Sequence, residues 1–114
     1  MDHRVEDHFD GRDAIVREIY ETLVSAASNF GPVIQDPKKT SIHLNHRSAF
    51  AGIATRRKHL VLTLKATSDI DSSRIHKRVH ASSKRWYHEI RLARTDQIDN
   101  ELLGWLRLSY ELSQ

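Results

Sequence analysis

The sequence predicts an α+β fold, a two-layer sandwich with both helices on one face of an antiparallel sheet of about five strands. Apolar residues recur at helical spacing near both ends of the 114-residue chain. Between these segments the apolar period changes to two, which is typical of strands with one buried face. The strands are joined by short connections, which favour antiparallel neighbours. We therefore expect a single domain over residues 1–114.

The first helix is predicted over residues 12–29, with Asp10 as its N-cap and residues 1–9 forming a loose arm. Its apolar stripe consists of Val16, Ile19, Tyr20, Leu23, Val24 and Ala27. Gly31 and Pro32 end this helix, because glycine accepts a left-handed cap conformation and proline cannot continue the helix.

The strands that follow are recognised by their alternation. They are predicted at residues 33–35 (a short edge segment), 41–46, 49–55, 59–65, 77–81 and 86–92. In residues 59–65 the leucines at 60, 62 and 64 face inward, while Val61, Thr63 and Lys65 face outward. Residues 68–76 are predicted to form a polar loop with room for one helical turn.

A second helix is predicted after Thr95, which would cap it, with Asp96 and Asp99 suited to its positive N-terminal end. Its buried stripe would contain Ile98, Leu102, Trp105, Leu106 and either Ser109 or Tyr110.

The charge is unevenly distributed along the chain, although its net value is only +3. Residues 37–94 hold fourteen Lys or Arg against three Asp or Glu, and the flanking segments are acidic. One interpretation is an anionic partner such as nucleic acid. The other is that the acidic ends fold back and neutralise the basic middle.

Strand parity predicts which side chains lie on the sheet face away from the helices. That face would gather His43, Asn45, His59, Thr63, Lys65, Tyr87 and Arg91. A basic, partly aromatic open sheet face is a surface on which nucleic-acid modules stack bases and bind phosphates. The alternative is an ordinary solvated face, which any two-layer antiparallel fold presents.

Predicted turns carry most of the remaining positive charge. Arg56, Arg57 and Lys58 form one turn, and Lys84 and Arg85 another. If both turns lay at the same edge of the sheet, they could grip one phosphate backbone. We therefore predict nucleic-acid contacts by Arg56, Arg57, Lys58, Lys84, Arg85 and Tyr87.

Four segments of the chain resemble a small bacterial family known only as a domain of unknown function. They are PKKTSIHL (37–44), AFAGIATRRKHLVLTL (49–64), RWYHEIRL (85–92) and IDNELLGWLRLSYEL (98–112). Members of that family look like stand-alone proteins or C-terminal modules, and some are fused to predicted restriction-type nuclease modules. The resemblance implies an α+β domain and an association with nucleic acid, and it singles out Lys39, Thr40, Arg56, His88 and Arg91.

A second candidate site consists of Lys39, Thr40, His88 and Arg91 around a small carboxylate or phosphate. Lys39 and Thr40 sit at a strand start, where lysines also serve to discourage strand-to-strand aggregation. His88 shares a face with Ile90 and Leu92, so it should be at least partly buried, either as a hydrogen-bonded neutral imidazole or as part of this site. Its partner would be Thr40 or an acid of the last helix such as Asp99.

Other functional classes find no support in the sequence. There is no cysteine, no run of apolar residues long enough to span a membrane and no signal peptide. The histidine pairs at 43 and 46 and at 76 and 80 are poorly placed for chelation on strands. No nucleophile elbow, P-loop or paired-carboxylate spacing is present. We expect a cytoplasmic, non-enzymatic binding module without cofactor, metal or membrane partner, with protein interaction or small anionic-ligand binding as the alternative to nucleic acid.

Overall fold

A computed structural model describes residues 2–114; Met1, the first residue of the predicted arm, lies outside them. Helix α1 spans Ala14–Ser28 and helix α2 spans Asn100–Glu111. The strands between them are β1 (Ile34–Pro37), β2 (Ile42–Asn45), β3 (Ala49–Thr55), β4 (Leu60–Ala66), β5 (Ile75–Ser82) and β6 (Arg85–Leu92). Short 3-10 helices cover Val5–Phe9 and Thr95–Gln97.

The six strands form one antiparallel sheet in the order β1-β2-β3-β4-β6-β5, with α1 and α2 packed against one face. The predicted α+β class is therefore confirmed. The sheet has six strands rather than about five, because the N-terminal edge segment is a full strand that pairs with β2 along its whole length.

The core lies where the inward side chains of the sheet meet the two helices. Leu60, Leu62 and Leu64 are buried on β4, and Leu62 is flanked by Ile53 on β3 and Ile90 on β6. Each such side chain contributes about 1.5–3 kcal/mol by leaving water. This confirms the predicted parity, so the even-numbered residues of β4 specify the core and the odd-numbered ones face away.

A β-bulge between β2 and β3 breaks this parity at Phe50. Leu44 pairs with Ala51 and Asn45 pairs with Ala49, so Phe50 is an extra residue without a partner on β2. Phe50 and Ala51 are consequently both buried. The Phe50 ring meets the edge of Tyr110 on α2 with the ring centroids 5.0 Å apart.

The N-terminal segment is docked on the domain, in contrast to the expected loose arm. Val5 and Phe9 pack against the core, and the Phe9 and Tyr20 rings lie 5.2 Å apart. The His8 ring also forms a hydrogen bond with the Lys38 carbonyl through Nε2. Apolar residues at both ends of the short helix Val5–Phe9 explain the docking.

Both helices begin later than predicted. Helix α1 has Asp13 rather than Asp10 as its N-cap, and the Asp13 backbone N–H donates to the carbonyl of Arg57. Helix α2 is capped by Asp99, whose carboxylate accepts a hydrogen bond from the Leu102 N–H at 3.0 Å. Thr95 instead opens the preceding 3-10 helix.

Gly31 sets the path of the chain from α1 into the sheet. Its φ of +150° is a conformation that residues with a Cβ rarely adopt, and a Cβ there would collide with the Tyr110 hydroxyl. That hydroxyl donates to the Pro32 carbonyl at 3.0 Å. The turn after α1 and the end of α2 are therefore fixed against each other.

Candidate functional site

The sheet face away from the helices carries a depression of about 410 Å³. Small residues of β3 create it, because Gly52 lies between His43 on β2 and Thr63 on β4 and leaves a gap between their side chains. Its lining also includes Lys65 on β4 and Tyr87 on β6, which are partners across the two strands. We call the whole sheet face that points away from the helices the open face.

Lys65 is the most unusual charged residue of the open face. Its side chain is only 9% exposed, and its ammonium donates to the Ser48 hydroxyl at 3.2 Å. Burial lowers the pKa of Lys65, and the nearby Arg85 lowers it further. Within residues 2–114, Lys65 forms no salt bridge. A buried ammonium with one neutral partner has unsatisfied donors that an anion could accept from.

Tyr87 provides an aromatic surface beside this ammonium. It is 39% exposed, in agreement with its predicted outward orientation. The tyrosine combines an apolar ring with a polar hydroxyl, which suits contact with a planar, polar ligand.

Four further basic side chains gather at the opposite end of the open face. They come from the β3–β4 turn, from β5 and from β6, and we call them the cation cluster: Arg56, His59, His76 and Arg91. Arg91 Nη2 donates to His76 Nε2 at 2.8 Å. Burial lowers the pKa of His59, and the neighbouring Arg91, Arg56 and His76 lower it further.

The cation cluster exists because β5 carries a bulge. Ile75 pairs with Ile90 and Lys77 pairs with Glu89, so His76 is an extra residue between them. Its ring is thereby within reach of Arg91. Sequence reasoning considered His76 only as a metal ligand, and nothing in the sequence marks the bulge.

Negative charge on the open face is sparse. Glu89 lies between Thr63 and Lys77, and Asp36 lies on the edge strand β1. The carboxylate of Asp36 is 2.9 Å from the Lys38 ammonium, which lowers its pKa. Neither arginine of the cation cluster forms a salt bridge within the described part of the chain.

The two predicted basic turns lie at opposite ends of the sheet. Arg56, Arg57 and Lys58 follow β3, and Lys84 precedes β6, which runs antiparallel to β4. Because a strand rises about 3.3 Å per residue, the seven residues of β4 separate these turns by about 23 Å. The two turns therefore do not lie at the same edge of the sheet. They could contact one strand only at phosphates that are far apart along it.

The residues of the predicted small-anion site are not brought together. Lys39 and Thr40 lie in the β1–β2 turn at the far edge of the sheet. His88 is fully buried on the helix-covered face, whereas Arg91 is on the open face, three residues along the same strand. Of these four residues only Arg91 belongs to the open face described above.

His88 has a structural partner that the sequence did not reveal. Its Nε2 lies 2.9 Å from the Asp69 carboxylate, and Asp69 also accepts a hydrogen bond from Arg78. Hydrogen bonding to His88 and to Arg78 lowers the pKa of Asp69. These contacts fasten the β4–β5 loop to the sheet, while Asp99, the acid expected to meet His88, binds Arg74 instead.

Residues 2–114 contain no group of three or more His, Asp or Glu positioned to hold a metal ion. No helix in the same part of the chain is both long and apolar enough to cross a membrane.

The fold and the open face together define the class of protein: a small α+β domain whose sheet is covered by helices on one face and open on the other. The chain belongs to the family described as "Domain of unknown function (DUF5655)", whose model matches residues 5–113. No curated protein and no solved structure matches it significantly.

Proposed function

We propose that this domain is a non-enzymatic binding module that takes single-stranded nucleic acid on its open face. The observation that carries the proposal is the combination of a depression lined by Lys65 and Tyr87 with a second group of cations, Arg56 and Arg91, that form no salt bridge within residues 2–114. Proteins that bind single strands combine basic grooves with aromatic side chains in this way.

The electrostatics favour an anionic polymer over a single small anion. Lys65 and the cation cluster lie toward opposite ends of β4, and the basic turns continue the charge beyond them. At about 3.4 Å per stacked nucleotide, the length of β4 corresponds to at most about seven nucleotides. A strand running along β4 would bring phosphates to both groups of cations.

The shape of the open face favours single-stranded over double-stranded ligands. Duplex DNA is read mainly by elements that project into its grooves. Here the depression is concave and its floor is built from Gly52 and Ala54, so a base that is free of its complement can enter beside Tyr87. Contacts of this kind give weak sequence selectivity.

Fluorescence anisotropy with labelled oligonucleotides of mixed sequence tests this function. Single-stranded DNA and RNA 12-mers should bind and a matched duplex should bind more weakly, with affinity falling steeply between 50 and 300 mM salt. A strand that meets three to five cations should give a slope of about −2 to −3.5 in log K against log salt. Undetectable binding of all three ligands at 50 mM salt would rule the function out.

Two variants and one control locate the binding surface. Tyr87→Leu should weaken binding about tenfold through loss of stacking, and Arg91→Gln should reduce the salt slope by about 0.7. The matched control is Arg107→Gln, which removes an arginine paired with Glu111 on α2 and should leave affinity and slope unchanged.

The same depression supports one alternative, a small anionic ligand held by Lys65. Its volume of about 410 Å³ lies in the range of small-molecule sites. Native mass spectrometry of the purified protein distinguishes the two: a retained small molecule that Lys65→Met abolishes favours this alternative, and an unliganded mass with oligonucleotide binding favours the first.

A further inference from the structure

The side chains of the cation cluster could balance more negative charge than one phosphodiester group carries. Its four side chains come from three separate elements, and Arg91 is hydrogen bonded to the imidazole Nε2 of His76 rather than to a carboxylate. An oxyanion is a stronger partner for a guanidinium than an imidazole nitrogen is. An entering oxyanion would therefore displace His76 from Arg91.

We infer that the cation cluster is a subsite for a terminal phosphomonoester of the bound strand. A phosphomonoester carries between one and two negative charges at neutral pH because its second pKa is about 6. An internal phosphodiester carries one charge. Two guanidinium groups and two ionisable imidazoles match the monoester better than they match the diester.

The position of the cluster agrees with an end of the strand. Arg56 and His59 belong to the β3–β4 turn, where the sheet ends, and Ala93 and Arg94 follow β6 at the same margin. The depression lies further along the open face, at Gly52, Thr63 and Lys65. A strand whose terminal phosphate occupies the cluster could place its next bases over the depression, so the inference rests on the proposed function.

Binding of the phosphate would be coupled to proton uptake by His59. His59 is held toward its neutral form by burial and by Arg91, Arg56 and His76, so its pKa is low in the free protein. Negative charge from the ligand would oppose that effect and favour the imidazolium. The other charged groups at this end of the sheet come from three places. Lys77 and Glu89 are paired in register on β5 and β6, Arg94 after β6 lies 2.9 Å from Asp96, and Arg57 and Lys58 share the turn of His59.

The decisive comparison uses one 12-mer sequence with a 5′-phosphate, a 3′-phosphate or hydroxyls at both ends. One phosphorylated form should bind about tenfold more tightly than the hydroxyl form. His59→Gln and His76→Gln should remove most of that gain, so that the phosphorylated and hydroxyl forms bind these variants with nearly equal affinity. The control is His3→Gln, an exposed histidine in the N-terminal segment, which should preserve the gain.

Proton uptake provides a second readout. Calorimetry of the favoured oligonucleotide at pH 7 in buffers of different ionisation enthalpy should show net proton uptake, which His59→Gln reduces. The affinity gain should also shrink as the pH rises from 6.5 to 8.5.

The possible results separate the two proposals. If the hydroxyl 12-mer binds and neither phosphate improves its affinity, the subsite is wrong and the proposed function stands. In a second outcome no oligonucleotide binds, but phenyl phosphate shifts the ring resonances of His59 and His76 in NMR spectra. The proposed function and the inference about the end of the strand then both fail, and the cation cluster is a phosphomonoester site for small ligands. If phenyl phosphate and all oligonucleotides are without effect, both proposals are overturned.

Discussion

The side-chain hydroxyl of Ser109 on α2 accepts a hydrogen bond from the backbone N–H of Lys65 at 3.1 Å. The same hydroxyl donates to the carbonyl of Phe50, the bulged residue of β3. Ser109 thus bridges β3 and β4 beyond their last register pair, Ala51 and Leu64. Through this contact helix α2 fixes the backbone of Lys65, whose side chain lines the depression on the open face.

Removing that hydroxyl should destabilise the domain. Ser109→Ala leaves a buried N–H and a buried carbonyl without their partner, and we expect the free energy of unfolding to fall by about 2–3 kcal/mol. Chemical denaturation measures this change in the free energy of unfolding. Ser28→Ala is the control, because that hydroxyl only bonds the Val24 carbonyl on an exposed part of α1, and a similar loss there would contradict the bridging role.

Filling the depression should abolish binding without unfolding the protein. A Cβ at Gly52 would lie 3.7 Å from the Thr63 Cβ, an ordinary contact, so Gly52→Val should fold and its side chain would occupy the gap beside His43. We expect single-strand affinity to fall at least tenfold, with the melting temperature unchanged or raised.

Gly104 provides the matched control for that experiment. It lies on α2 with no atom within 4 Å of an added Cβ, so Gly104→Ala should stabilise the domain by about 0.5–1 kcal/mol and leave binding intact. Equal effects of the two substitutions on binding would contradict a site at Gly52.

His88 should behave as a structural residue. Its ring is fully buried on the helix-covered face, and its Nδ1 has no partner among residues 2–114. Its polar contacts are made through Nε2, which lies 2.9 Å from the Asp69 carboxylate and 3.1 Å from the backbone N of Ile70. His88→Phe should lower the free energy of unfolding by about 1–3 kcal/mol and preserve oligonucleotide affinity. A loss of affinity at unchanged stability would assign His88 to the site instead.

Asp69 should contribute to stability above its ordinary pKa near 4. Because hydrogen bonds from His88 and Arg78 lower its pKa in the folded protein, this contribution is lost as the pH falls through that lower value. The difference in melting temperature between wild type and Asp69→Asn should therefore be largest at neutral pH and shrink below about pH 4. The control is Asp71→Asn, in the same loop but outside any salt bridge within the described residues, which should leave the melting temperature at neutral pH nearly unchanged.

Strand parity was enough to predict the open face. Alternation placed His43, Thr63 and Lys65 away from the core, and the register confirms it, because each is adjacent to an inward-facing leucine or isoleucine. It also correctly predicted burial of His88 and exposure of Tyr87. A period of two is a local property, so it can be read without knowing which strands are neighbours.

What the sequence did not predict depends on pairing between distant segments. The bulges at Phe50 and His76 change side-chain direction only because of their partner strands. The order β4-β6-β5 separates the two basic turns, and the fold of residues 67–74 places Asp69 against His88. None of these relationships leaves a periodic signal, and Asp69 looks like any other polar loop residue.

Mapping the bound strand onto the sheet by NMR tests the central claim most directly. A ¹H–¹⁵N correlation titration with an unlabelled single-stranded 12-mer at 50 mM salt should give saturable shifts at the amides of Gly52, Thr63, Tyr87 and Arg91. Amides on the solvent side of α1 and α2, including Arg17 and Arg107, should stay in place. Saturable shifts confined to the helices, or none anywhere, would contradict binding on the open face.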